Sequence, residues 1–225
     1  TERESVAHDI QLRKLTARNL NVRQIIKSAF ADLPGERMEE VNETMLLHGT
    51  KPDTVLTLLQ NGLNERFSEG LFGSGTYFAE DAGKTDQYVS KDTGVDSRVP
   101  GVFFGDLLVA GTSDEIKELH KRLYREGNTH PRDVYYVFVC RVIMGVFVRT
   151  QTGDAGATDL DSGKKVWATP TRRELAHIPG IKPPVPYHSL VAELGQQIVR
   201  YREFIQFHDA RIYPEYLLAY KREMV

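Results

Sequence analysis

Three stretches of this chain carry residue types that could handle a planar amide and a sugar. The first is His48-Gly49-Thr50, which follows the apolar run Met45-Leu46-Leu47. A histidine at the end of a strand puts an imidazole at a sheet edge, and the glycine after it lets a ligand approach the backbone closely. The N–H and C=O of Gly49 can then pair with a planar amide. The second stretch is GLFGSGTYFAEDAGKTDQY, residues 70–88. Gly70, Gly73 and Gly75 make a loop that feeds a short strand; the spacing is not that of a dinucleotide-binding glycine loop, and no helix opens from it. Thr85 and Tyr88 are three apart and share a face if helical. Together with Tyr77 they place a hydroxyl beside aromatic faces, which suits a planar aromatic amide. The third stretch is YREFIQF, where alternation puts Glu203, Ile205 and Phe207 on one face. A carboxylate on an otherwise apolar face is unfavourable unless it is paired or functional. Taken singly, each has a plain structural reading: a structural histidine, core tyrosines, a strand-edge glutamate near Arg200 or Arg202.

The elements that must position these residues can be read from periodicity. Residues 8–32 have helical spacing, with a break near Asn19 and Asn21 and a stop at Leu33-Pro34-Gly35. A short strand over 45–47 carries His48 at its end. Residues 52–61 read as a helix stopped by Asn61-Gly62, and 63–75 as a loop. A strand over 76–79 holds Tyr77, and a helix from 82 to about 90 follows. Residues 91–101 read as loop, 102–109 as strand, and 112–126 as a helix whose Thr112-x-x-Glu115 is a capping-box pattern. Residues 134–144 and 146–150 are β-rich. Residues 151–187, rich in Gly, Pro, Asp and Thr, read as loop, and two strands over 203–207 and 216–221 close the chain. Helices come early and strands late, so the fold class is α+β. No internal repeat and no interdomain linker is visible, and 1–225 reads as a single domain.

Composition narrows the classes of function. The chain has 225 residues, enough for a sizeable core, with 29 Lys and Arg against 31 Asp and Glu, a formal charge of −2. A chain-wide basic footprint for nucleic acid is absent. The local group Lys117, Lys121, Arg122 and Arg125 reads first as a solvated helix face. The single cysteine, Cys140, allows no intrachain disulfide and no cysteine-based metal site. No run approaches the ~18 apolar residues of a membrane helix. The start, TERESVAHD, is not a signal peptide and lacks an initiator Met, as if cut from something longer.

Taken together, MLLHGT, GLNERFSEGLFGSGTYFAEDAGKTDQYV, YYVFVCRVIMG, PYHSLV and REFIQFHDARIYPEYLLAY resemble, in the family's own order, the catalytic domain of poly(ADP-ribose) polymerases, tankyrases most of all. These blocks cover about a third of the chain. The resemblance implies two packed, mainly antiparallel sheets with flanking helices, and NAD as co-substrate with no metal. It implies a catalytic set of His48, Tyr77 and Glu203. His48 would hold the nicotinamide-side ribose, and Gly49 would pair with the carboxamide. Tyr77 and Tyr88 would sandwich the nicotinamide, and Thr85 would bond its amide oxygen. Thr50 would lie toward the adenosine end. Residues 64–74 would line the donor pocket with Phe67 in contact, and Gly75, Phe78, Ala79 and Lys84 would fall within the NAD site. Glu215, in PEYL, superficially resembles a catalytic glutamate. The longer pattern selects Glu203 and leaves Glu215 at the start of the last strand.

The chemistry this family performs fits those residue types. Breaking the nicotinamide–ribose bond passes through an oxocarbenium-like state, which a carboxylate in a partly dry site stabilises. The acceptors implied are proteins, the chain itself included. The chain departs from tankyrases in lacking their Cys/His zinc ligands and in being longer over 91–133 and 151–187, additions read as decoration or as an acceptor surface. The roughly 45 residues before His48 are too few for the helical autoinhibitory domain of DNA-dependent members, so no DNA requirement is expected. Retention of Glu203 points toward polymer formation, with single transfer as the alternative. Transfer to nucleic acid ends or a small molecule, and a non-catalytic NAD-binding module, are the other readings; release of nicotinamide separates enzyme from module. The expected setting is intracellular, nuclear or cytoplasmic, or that of a delivered bacterial effector.

Overall fold

The structure is a computed structural model that describes residues 1–12, 33–94, 114–124 and 129–223. Its helices are α1 (Glu2–Leu12), α2 (Val55–Asn61), α3 (Ala82–Thr85) and α4 (Asp114–Leu123). Its strands are β1 (Glu43–Thr50), β2 (Thr76–Phe78), β3 (Tyr135–Ile143), β4 (Phe147–Thr150), β5 (Ser189–Ala192), β6 (Glu203–Gln206) and β7 (Ile212–Tyr220). They form two sheets, β1-β3-β7 and β2-β6-β5-β4, in which only the β4–β5 pair is parallel. The α+β expectation and the two mainly antiparallel sheets hold.

Sheet stacking explains why β3, β5 and β6 bury every residue. Side chains of β3 alternate between two cores. Tyr136, Phe138, Cys140 and Val142 face Val191 and Phe204 of the other sheet. Val137 and Val139 lie on the outer side with Met45, Leu47 and Val89. Cys140 is thus a core residue whose burial pushes its thiol pKa up. The far face of the second sheet is covered by 151–187, which has isolated bridges but no strand. It nevertheless contributes Val166, Trp167, Leu175, Ile178 and Val185 to the core around Leu190 and Ile205. The segment is irregular, as read, but it is core rather than decoration.

Several boundaries shift. Helix α1 begins at Glu2, ahead of the expected 8. The rest of that expected helix, the strand over 102–109, the Thr112 cap and Arg125 lie outside the described residues. The helix read over 82–90 is one α-turn followed by a 3₁₀ turn, Asp86–Tyr88. Strand β5 carries no periodic signal in the sequence, being four residues long and preceded by a Pro-rich loop. The last strand starts at Ile212, so Glu215 lies inside it rather than at its start. Pro214 resembles a breaker, but β7 is an edge strand, where a missing N–H is tolerated. The basic face of α4 is ion-paired within the helix, Lys117 with Asp114 and Arg122 with Glu118, as a solvated face should be.

Candidate active site

Besides stacking through their side chains, the two sheets are joined by a backbone seam. Leu47 and Ala79 exchange both backbone hydrogen bonds, at 2.8 and 2.9 Å, tying β1 to the end of β2. Strand alternation then fixes the next residues. Since Leu47 turns its N–H and C=O toward Ala79, Gly49 turns its own the same way, past the end of the pairing and into a cleft of about 920 Å³. Gly49 must be glycine here: a Cβ would stand 2.6 Å from the Thr85 backbone oxygen.

His48 crosses the seam. Its Nδ1 lies 2.9 Å from the Tyr77 carbonyl oxygen. A carbonyl only accepts, so Nδ1 carries the proton, and the neutral ring keeps a lone pair on Nε2. Burial lowers the His48 pKa and favours that neutral ring, although the Tyr77 bond opposes it. Nε2 is therefore an acceptor suited to a hydroxyl.

Tyr77 does two things. Its ring lines the cleft, and its hydroxyl accepts from Phe72 N–H and donates to Gly73 O, both at 2.8 Å. The second stretch thus folds its glycine loop back onto its own strand; Gly70 and Gly73 are exchanged partners at 3.2 Å. Burial raises the Tyr77 pKa far above its ordinary value, so the hydroxyl stays neutral.

Glu203, at the start of β6, is buried and forms an ion pair with Lys84. This corrects the simpler expectation of Arg200 or Arg202 as partner: Arg202 instead binds Glu80, at 2.6 Å, and Glu193. Desolvation opposes charge on Lys84, but its bonds to Glu203 and to the Tyr88 hydroxyl, 3.0 Å away, outweigh this, and its pKa rises. Lys84 thus stays an ammonium against the carboxylate.

Of the residues singled out in the sequence, His48, Gly49, Phe67, Tyr77, Phe78, Ala79, Lys84, Thr85, Tyr88 and Glu203 line the cleft. Thr50 and Gly75 do not. Thr50 is buried at the end of β1, and Gly75 packs behind β2 against Ile205 and Phe207. Thr85 is buried while Tyr88 is exposed, because the 3₁₀ turn between them swings Tyr88 to the rim. Phe67 also stands on the rim, 91% exposed. Residues 197–201 form the opposite lip, and only adjacency to Glu203 could have flagged them.

A nucleotide-sized cleft at the seam of two sheets, lined by aromatic faces, a fixed acceptor and a charged carboxylate, is a ligand site on an α+β scaffold. The poly(ADP-ribose) polymerase catalytic domain family model matches residues 15–222, and the chain belongs to that family. It is an NAD⁺ ADP-ribosyltransferase; NAD is its co-substrate, and the family's reaction needs no metal. Among the described residues no helix is long and apolar enough to cross a membrane.

Proposed function

We propose that this catalytic unit transfers ADP-ribose from NAD to protein acceptors, its own side chains included, and extends the product into poly(ADP-ribose). His48, Tyr77 and Glu203 act as its histidine–tyrosine–glutamate set, in the manner of the tankyrases it resembles. The reading is carried by Glu203, a charged carboxylate held by Lys84 within a cleft whose other wall presents the His48 acceptor nitrogen.

Each residue has a definite task. Gly49 pairs with the nicotinamide carboxamide through its backbone and Thr85 bonds the amide oxygen, while Tyr77 and Tyr88 hold the ring between them. His48 Nε2 accepts from a ribose hydroxyl. The C1′–N bond breaks with its electron pair leaving on nicotinamide, and positive charge grows on the ribose. Glu203 binds the 2′-hydroxyl and stabilises that charge. The acceptor oxygen then bonds to C1′ and loses its proton, with Glu203 as the nearby base. When the acceptor is a ribose hydroxyl of an earlier unit, the same carboxylate supports chain growth. The net charge of −2 gives no basis for a DNA requirement.

Incubation with labelled NAD followed by denaturing electrophoresis tests the reading. A smear supports polymer formation, and one sharp band limits the enzyme to single transfers. Absence of released nicotinamide overturns the catalytic assignment. Nicked DNA is expected to leave the rate within a few-fold.

A further inference from the structure

We propose that Asp92, His120 and His130 bind one divalent cation of the zinc class, which fastens α4 and the turn before β3 to the chain that leaves the NAD cleft. Asp92 lies four residues beyond Tyr88, and its backbone pairs in both directions with Val134, at 2.8 and 3.0 Å. Its side chain is only 3% exposed. The Oδ1 atom accepts from Gly94 N–H at 3.0 Å. The Oδ2 atom accepts from the Tyr136 hydroxyl at 2.9 Å and lies 2.7 Å from His120 Nε2.

His130 is the telling residue. Its side chain is nine-tenths buried, and its Nε2 lies 3.3 Å from the same Oδ2 without the alignment of a hydrogen bond. That nitrogen is shielded from solvent and has no hydrogen-bond partner. Buried polar atoms are nearly always satisfied, so an orphan asks for a missing partner. One ring nitrogen of each histidine and a carboxylate oxygen lie within 4.8 Å of one another, and the imidazole rings are 4.3 Å apart at their centroids. Ligand atoms around tetrahedral zinc stand roughly 3.3 Å apart, given bonds of about 2.0–2.1 Å. Two imidazoles and one carboxylate are a donor set that zinc-class ions accept, with a fourth position left for water.

Proton positions are consistent with uptake. Arg132 N–H donates to His130 Nδ1 at 3.0 Å, so the neutral ring carries its proton on Nε2. Binding moves that proton to Nδ1 through solvent and frees the Nε2 lone pair. The N–H of Arg132, an exposed residue, then turns to water. His120 Nε2 likewise gives up its proton, and the Tyr136 hydroxyl continues to orient the carboxylate from behind. The ion would be structural: Asp92, His120 and His130 are not among the residues lining the cleft.

The test is titration of chelator-treated full chain with Co²⁺, read by visible absorption, and then with Zn²⁺. Uptake of one equivalent with the intense bands of a four-coordinate ion, displaced by Zn²⁺ and accompanied by a thermal midpoint several degrees higher, is the expected result. His120→Ala, on a largely solvated helix, should abolish the bands. Wild type without stoichiometric uptake overturns the proposal and leaves Asp92 a proton-only clasp. Unchanged uptake in His120→Ala overturns it equally, by placing the ion on other histidines.

Discussion

Lys84 and Glu203, brought from α3 and β6, meet as an ion pair inside the cleft. A lone carboxylate moved out of water loses several kcal/mol of solvation, and the ammonium of Lys84 offsets that loss for Glu203. The free enzyme thereby holds its carboxylate ready, and a ribose hydroxyl that enters must share it with the ammonium.

Glu203→Gln keeps the shape and removes the charge. Transfer from NAD is expected to fall by about 10²–10³-fold, with NAD binding largely kept. Nicotinamide release in single-turnover assays measures this, and a rate equal to wild type would remove Glu203 from the mechanism. Glu215→Gln is the counterpart. Glu215 receives two bonds from Arg141, at 2.6 and 2.7 Å, so weakening them should lower unfolding stability by about 1–3 kcal/mol while leaving transfer within a few-fold.

Tyr77→Phe retains the ring and deletes both bonds of the hydroxyl. Phe72 N–H, on a fully buried residue, loses its partner, which costs about 1–3 kcal/mol. Since those bonds shape the glycine loop rather than the reacting atoms, KM for NAD should rise more than kcat falls. A change confined to kcat would assign the hydroxyl a direct chemical part.

His188 sets an acid limit on stability. Burial, with Arg211 nearby, lowers its pKa to about 3, and the Val146 N–H that donates to Nδ1 occupies that lone pair. The folded ring is neutral while the unfolded ring takes a proton near its ordinary 6.5. Its contribution is therefore complete above about pH 6.5 and is lost as pH falls toward about 3, at about 1.4 kcal/mol per unit. Between about pH 7 and about pH 4.5 this amounts to roughly 2–3 kcal/mol. His188→Asn, which keeps an acceptor for Val146, should flatten that decline in urea unfolding. Parallel slopes for the two proteins would refute the assignment.

What the sequence exposed and what it concealed have separate physical causes. The strands holding His48 and Glu203 were legible from the short apolar run 45–47 and from the alternation that begins at Glu203. Tyr77, Thr85 and Tyr88 were legible because the ordered blocks around them resemble one family's pattern. Hidden were features decided by tertiary partners. Lys84 as the partner of Glu203 depends on how a four-residue helix meets a distant strand. Thr50 and Gly75 sit beside true cleft residues yet pack inward. The bond of Arg141 to Glu215 spans 74 residues. Residues 151–187 looked dispensable because irregular backbone has no periodicity, however many core side chains it carries.

That segment also braces the cleft from behind. The half-buried Arg172 donates through Nη1 to Leu71 O at 2.9 Å and to Gly153 O at 3.0 Å, and its own carbonyl accepts from Ser74 N–H at 3.1 Å. Gly73, with φ of +90°, sits so close to this strut that a Cβ would meet Arg172 O at 2.5 Å and Trp167 at 2.7 Å. The loop that carries Gly70 and Leu71 into the cleft wall is thus clamped between the Tyr77 hydroxyl on one side and Arg172 on the other. Arg172→Leu removes both guanidinium bonds at a residue that does not itself line the cleft. Charged hydrogen bonds of this kind are worth about 1.5–3 kcal/mol each, and part of that holds the loop in its NAD-competent form. KM for NAD should rise about tenfold with kcat nearly unchanged, and limited proteolysis should cut the loop faster. Saturating NAD should restore wild-type turnover, because ligand binding can supply the order that the strut no longer provides. A fall in kcat that saturating NAD does not repair would mean that Arg172 shapes the reacting geometry itself rather than the loop that admits the substrate.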